Sequence, residues 1–75
     1  MNPRRSLSDL KIGEKSTIQG FSDPELSVKL LEMGCLPGIE VCLSSKAPLG
    51  DPICISVCGY NLSLRLEEAS TIEVK

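Results

Sequence analysis

Seventy-five residues with eight basic and ten acidic side chains, no histidine and a net charge of −2 make one small domain and leave no room for a second. The basic footprint that a phosphate backbone demands is missing beyond Arg4-Arg5, and the two aromatic residues, Phe21 and Tyr60, cannot build a stacking platform. Nucleic acid is excluded as a partner on these grounds, and the core has to be assembled from Leu, Ile and Val.

In chain order, residues 1–6 read as a flexible terminus and residues 7–75 as a single domain. The charge of Arg4-Arg5 suits a leader, but Ser8, Asp9, Lys11 and Glu14 follow where an apolar segment would be needed. Nothing approaches the roughly 20 apolar residues of a membrane span. The expectation is a cytoplasmic protein without direct membrane insertion. Leu7 and Leu10 frame a short helical turn that pins the terminus, and Gly13 ends it.

Residues 15–19 alternate around Ile18 and predict a first strand, closed by Gly20. A helix follows, with two readings of its start. Ser22 and Glu25 have capping-box spacing with Phe21 and Leu26 as a hydrophobic staple, or Asp23 is the N-cap with Pro24 in the first turn. Leu26, Leu30 and Met33 recur at helical spacing, Val28 and Leu31 widen the stripe, and Lys29 and Glu32 face outward. Gly34 stops the helix.

Pro37-Gly38 turns the chain into a second strand over 39–46, with Ile39, Val41 and Leu43 on one face. In Ala47-Pro48-Leu49-Gly50-Asp51-Pro52, Gly50 supplies the positive φ of a type II turn and the prolines stiffen its flanks, so apolar Leu49 stands at the tip. Ile53, Ile55 and Val57 form a third strand with Cys54, Ser56 and Cys58 opposite. Gly59-Tyr60-Asn61 turns into a fourth strand carrying Leu62, Leu64 and Leu66 with Arg65 outward. Glu67 to Ser70 is a polar connection with one 3₁₀ turn, and residues 71–75 are a fifth strand. The fold class is mainly β: a small closed barrel of about five antiparallel strands with one α-helix between strands 1 and 2.

Catalytic chemistry finds little here. The commonest general base is absent, and the acidic residues stand singly apart from Glu67-Glu68, whose adjacent side chains diverge. Cys35, Cys42, Cys54 and Cys58 lack paired Cys-x2-Cys knuckles, so small half-buried thiols are expected in place of zinc ligands. No cofactor, no metal ligand and no enzymatic activity are expected.

The series Leu7, Leu10, Gly13, then Glu32-Met33-Gly34, Pro37-Gly38, the 47–52 turn, Gly59, Leu62, Leu64-Arg65, Glu68-Ala69 and Ile72-Glu73-Val74 closely resembles the FeoA family over nearly the whole chain. That family comprises small accessory proteins of ferrous iron transport. The resemblance implies an SH3-like barrel and a cytosolic bacterial protein. It also implies a partnership with the ferrous iron transporter, whose cytosolic G-protein domain is the expected partner, with effects on assembly or nucleotide cycle. The alternative is a stand-alone metal- or ligand-sensing SH3-like module related to the C-terminal domain of iron-dependent repressors. Weak self-association is a third expectation. This chain departs from the family in carrying Lys29 where members often carry Arg, and in its four cysteines.

Lys29, Glu32, Leu49 and Asp51 are the candidate partner-binding residues. For Gly34, Gly38, Pro48, Gly50, Pro52 and Gly59 the turns and caps they form are sufficient explanation.

Overall fold

The computed structural model describes residues 5–75. Six strands alternate with short helical segments: β1 (Arg5–Ser6), a 3₁₀ turn (Leu7–Asp9), β2 (Lys15–Phe21), α1 (Pro24–Glu32), β3 (Glu40–Lys46), β4 (Ile53–Val57), β5 (Tyr60–Leu64), α2 (Leu66–Ala69) and β6 (Ile72–Val74). All pairs are antiparallel, in the order β1-β6-β2-β3-β4-β5. The expected fold class holds, with six strands in place of five and a sheet that is barrel-like without closing, since β1 and β5 remain its two ends.

The curl comes from β2, which serves both halves. Lys15 to Thr17 pair with β3, whereas Ile18, Gly20 and Phe21 pair with β6 across an irregularity between Ile18 and Gly20. A bulge of this kind bends the strand and increases its twist. The enclosed core is aliphatic: Leu7, Leu10, Ile18, Leu30, Val41, Leu43, Ile53, Ile55, Val57, Leu64 and Ile72 are all but fully buried. In β4 the alternation is complete, with Ile53, Ile55 and Val57 inside and Cys54 and Ser56 on the outer face.

Of the terminus expected to be flexible, residues 1–4 lie outside the described residues. Arg5 and Ser6 are a short strand on Val74 and Glu73 of β6. The Arg5 guanidinium donates to Glu14 Oε2 at 2.7 Å and to the Lys75 carbonyl at 2.6 Å, so a long side chain ties the strand down where its backbone is short.

At the start of α1 the second of the two sequence readings is realised. Asp23 Oδ1 accepts the backbone N–H groups of Glu25 (2.9 Å) and Leu26 (3.2 Å), with Pro24 in the first turn. Ser22 instead bonds Thr71 through its backbone N–H. At the other end Gly34 (φ 101°) sends its N–H to the Leu31 carbonyl, and Cys35 its N–H to that of Leu30. This is a Schellman motif, whose hydrophobic contact joins the residue after the glycine to the last turn. Leu30 and Cys35 are both fully buried, and burial pushes the Cys35 thiol pKa up. Val28 and Leu31, expected to widen the buried stripe, are exposed: a single helix laid on a small sheet buries only Leu30 fully, with Leu26 and Met33 packed beside it.

Three boundaries on the C-terminal half differ from expectation. In the 47–52 loop, Gly50 (φ 85°) donates to the Ala47 carbonyl at 2.7 Å, so Pro48 and Leu49 are the central residues and Gly50 is the fourth. Leu49 does not take the positive φ that a type II turn needs at that place, because Cys58 is the one non-glycine with positive φ among the described residues. Cys58 (φ 50°) and Gly59 (φ 83°) form the two-residue turn between β4 and β5, so Tyr60 already pairs with Val57 and Asn61 with Ser56. Two consecutive positive φ values match the right-handed twist of the strands they join. Finally, β5 ends at Leu64, and Leu66 opens a helical turn.

Candidate functional site

The last of these differences builds the site. A helix of four residues has several N–H groups without an intrahelical partner, and the Arg65 side chain, at the N-cap position, has no acceptor to offer them. Two carboxylates, one from α2 itself and one from the hairpin loop, accept N–H groups at its start. Glu68 Oε1 accepts the Arg65 N–H at 3.0 Å, and Asp51 Oδ1, from the 47–52 loop, accepts the Leu66 N–H at 3.0 Å. Glu68 is buried, and its Oε2 accepts from Lys29 Nζ of α1 at 2.5 Å. The Lys29 hydrogen bond foremost, and then that of Arg65, hold the Glu68 carboxyl below its ordinary pKa of 4.5.

These bonds tie α1, the hairpin loop and α2 around an open groove of about 580 Å³. It is lined by Lys29 and Met33 of α1, Asp51 and Pro52 of the loop, Ser63 and Leu64 of β5, and Arg65 and Glu68 at the start of α2. Of the residues predicted from sequence to bind a partner, Lys29 and Asp51 meet here. Leu49 stands on the adjacent loop with 95% of its surface exposed. Glu32 lies exposed on the last turn of α1 and does not line the groove.

Lys29 and Asp51 therefore have an internal task as well as an exposed position. Glu68 was not among the predicted residues. Its signal was the three-residue spacing from Arg65, that of an N-cap and its reciprocal acid, obscured because Arg is not a capping residue. Val28 and Leu31 were missed for the opposite reason: their spacing is that of core residues. Together with Leu36 and Leu49 they leave apolar surface around α1 and the loop. The predicted turn residues Gly34, Gly38, Gly50 and Gly59 all have positive φ. Pro48 is the second residue of its turn, and the Pro52 carbonyl accepts the Ala47 N–H that closes the loop at 3.0 Å.

A second groove on the outer face of β3 and β4 is lined by Lys15, Glu40, Cys42, Ser56 and Cys58. No group of three or more Cys, Asp or Glu side chains arranged to hold a metal ion occurs among the described residues. No described helix is long and apolar enough to cross a membrane. What the first groove offers is recognition: a mainly polar lining with Met33, Pro52 and Leu64 among it, held in place by the hydrogen bonds of Asp51 and Glu68.

The FeoA domain model matches residues 5–75. The Fe(2+) transport protein A/Fe(2+) transporter FeoB fusion protein of Porphyromonas gingivalis is 37% identical over 70 residues, which cover 92% of this chain and 8% of that protein. The chain thus spans under a tenth of that relative. The solution structure of a FeoA-like protein from Clostridium acetobutylicum superposes with a TM-score of 0.90 at 36% identity, over all of this chain and 88% of that one. The zinc-complexed FeoA of Stenotrophomonas maltophilia, a prokaryotic SH3 domain protein, gives a TM-score of 0.82 at 27% identity, covering 93% of this chain and 88% of that one. A manganese-dependent transcriptional repressor shares the fold alone, with a TM-score of 0.86 at 19% identity over 99% of this chain and 37% of that chain. The SH3-like barrel and the match along residues 5–75 lead to one conclusion: this chain belongs to the FeoA family, small SH3-like proteins linked to ferrous iron transport.

Proposed function

We propose that the chain is a cytoplasmic accessory protein of ferrous iron uptake that binds the cytosolic G-protein region of the ferrous iron transporter and modulates its assembly or nucleotide cycle. The observation that carries this reading is the Porphyromonas gingivalis protein, in which a segment 37% identical to this chain is fused to the transporter itself. Fusion holds two partners at high effective concentration, which is useful when they work in contact. The groove between α1 and β5, with Leu49 beside it, is the surface best suited to that contact, because an apolar residue almost wholly exposed on a fixed loop is placed for a partner. The chain lacks histidine, the commonest general base, and on this reading contributes by binding.

Calorimetric titration with the transporter's purified cytosolic region tests the proposal. Saturable binding is expected, weakened by Leu49→Asp in a protein shown to be folded. Absence of binding by the unmodified chain contradicts it. A metal- or ligand-sensing module is the second reading, favoured by the zinc complex of the Stenotrophomonas maltophilia relative. Cysteine-to-serine variants that keep iron uptake and metal content unchanged would dispose of a thiol-based version.

A further inference from the structure

β5 ends the sheet, and nothing in its sequence guards the open side. Tyr60-Asn61-Leu62-Ser63-Leu64 contains no charge and no proline, and its register with β4 is unbroken. Charges, prolines and bulges are the devices by which natural edges refuse further strands. The two-residue turn sets the phase of the strand. Val57 and Tyr60 close the hairpin as a hydrogen-bonded pair, so Leu62 and Leu64 also bond toward β4, and the N–H and C=O groups of Asn61 and Ser63 point away from it. Neither residue's backbone enters a hydrogen bond outside the ladders among the described residues.

The last two residues of β5, Ser63 and Leu64, line the first groove. Its two acids are engaged, Asp51 with the Leu66 N–H and Glu68 with Lys29 and the Arg65 N–H. Arg65 is exposed and, among the described residues, has no ion pair. Lys29 and Glu68 pair with each other, so the end of the groove presents the Arg65 guanidinium as an exposed cation open to a further carboxylate, with Asp51 held on the Leu66 N–H.

We infer that an extended segment of the transporter's cytosolic region adds to β5 in this groove, its backbone pairing with Asn61 and Ser63 while a carboxylate on the segment reaches Arg65. Strand addition gives affinity through main-chain bonds and specificity through what flanks them, and a guanidinium suits a carboxylate in two-pronged geometry. The occupant is a bare segment and not a strand of a folded sheet, because α1 shares the groove with β5 through Lys29 and Met33. This rests on the proposed partnership with the transporter and names the mode of that contact.

Hydrogen exchange on the full chain, with and without the transporter's cytosolic region, tests it. Binding is expected to slow exchange at Asn61 and Ser63 by about tenfold or more, with Leu62, already bonded to β4, changing less. Ser63→Lys places a guarding charge on the edge and is expected to weaken binding about tenfold at unchanged stability. Arg65→Ala is expected to reduce both affinity and its dependence on salt. Binding that leaves both amides exchanging as in the free chain overturns strand addition and leaves the partnership standing, whereas absence of binding overturns both. Protection that arises in the chain alone and grows with its concentration assigns the edge to a second copy and likewise overturns the inference.

Discussion

β1 and β5 are the two ends of one sheet, and they are finished in different ways. β1 is two residues long and is held by Arg5, whose guanidinium reaches Glu14 and the Lys75 carbonyl. β5 is five residues long and uncharged, and its last two residues line a groove. The first edge is protected by being short and charged, as edges of soluble proteins generally are. The second lacks such protection and lies next to the capped start of α2, where Lys29, Asp51 and Glu68 spend their hydrogen bonds on fixing the groove's walls. Stability sits at one end and an available surface at the other.

Both edges hang on one core, so the largest effect should come from a residue that serves both. Ile55→Ala, at the fully buried centre of β4, is expected to cost about 3 kcal/mol in urea unfolding and to speed exchange at β1 and β5 alike. Loss at one edge only would mean that the two halves unfold separately. Next, Glu68→Gln removes the carboxylate joining α1 to α2 and is expected to cost about 1–2 kcal/mol, reduced from a fully buried pair because Lys29 is exposed. The Glu68 pKa is lowered by folding, so its contribution is complete above the ordinary value of 4.5 and is lost as pH falls through the folded value. The unfolding midpoint of the natural chain should therefore drop more steeply below that pH than the midpoint of Glu68→Gln. Arg5→Ala should speed exchange in the β1–β6 ladder while leaving the groove unchanged, since the Arg5–Glu14 pair is exposed. The smallest effect on stability is expected from Leu49→Asp, within about 0.5 kcal/mol of the natural chain, because the side chain touches solvent almost everywhere.

The strands were legible from period-two alternation wherever one face is buried: Ile53, Ile55 and Val57 show it without interruption. The helix was legible from Asp23, Pro24 and Gly34, residues whose caps depend on local backbone alone. Boundaries failed where a distant group decided them. Leu66 continues the alternation of Leu62 and Leu64, yet it starts α2 because Asp51, fifteen residues earlier, accepts its N–H. Val28 and Leu31 fit a core stripe, but the width of the sheet beneath α1 decides how much of that stripe is covered. The Cys58–Gly59 turn was placed one residue late because Cys rarely adopts positive φ, and composition alone favoured Gly59 with Asn61. For the candidate site, Lys29, Leu49 and Asp51 were visible as exposed or turn residues. The groove they frame required the tertiary partner Glu68.

The most direct test of the account is amide chemical-shift mapping of the full chain during titration with the transporter's cytosolic region. The account predicts changes concentrated on Lys29, Leu49, Asp51 and residues 61–65, with β1 and the outer face of β3 unaffected. Changes centred instead on Lys15, Glu40, Cys42 and Cys58, with the α1–β5 groove silent, would contradict it.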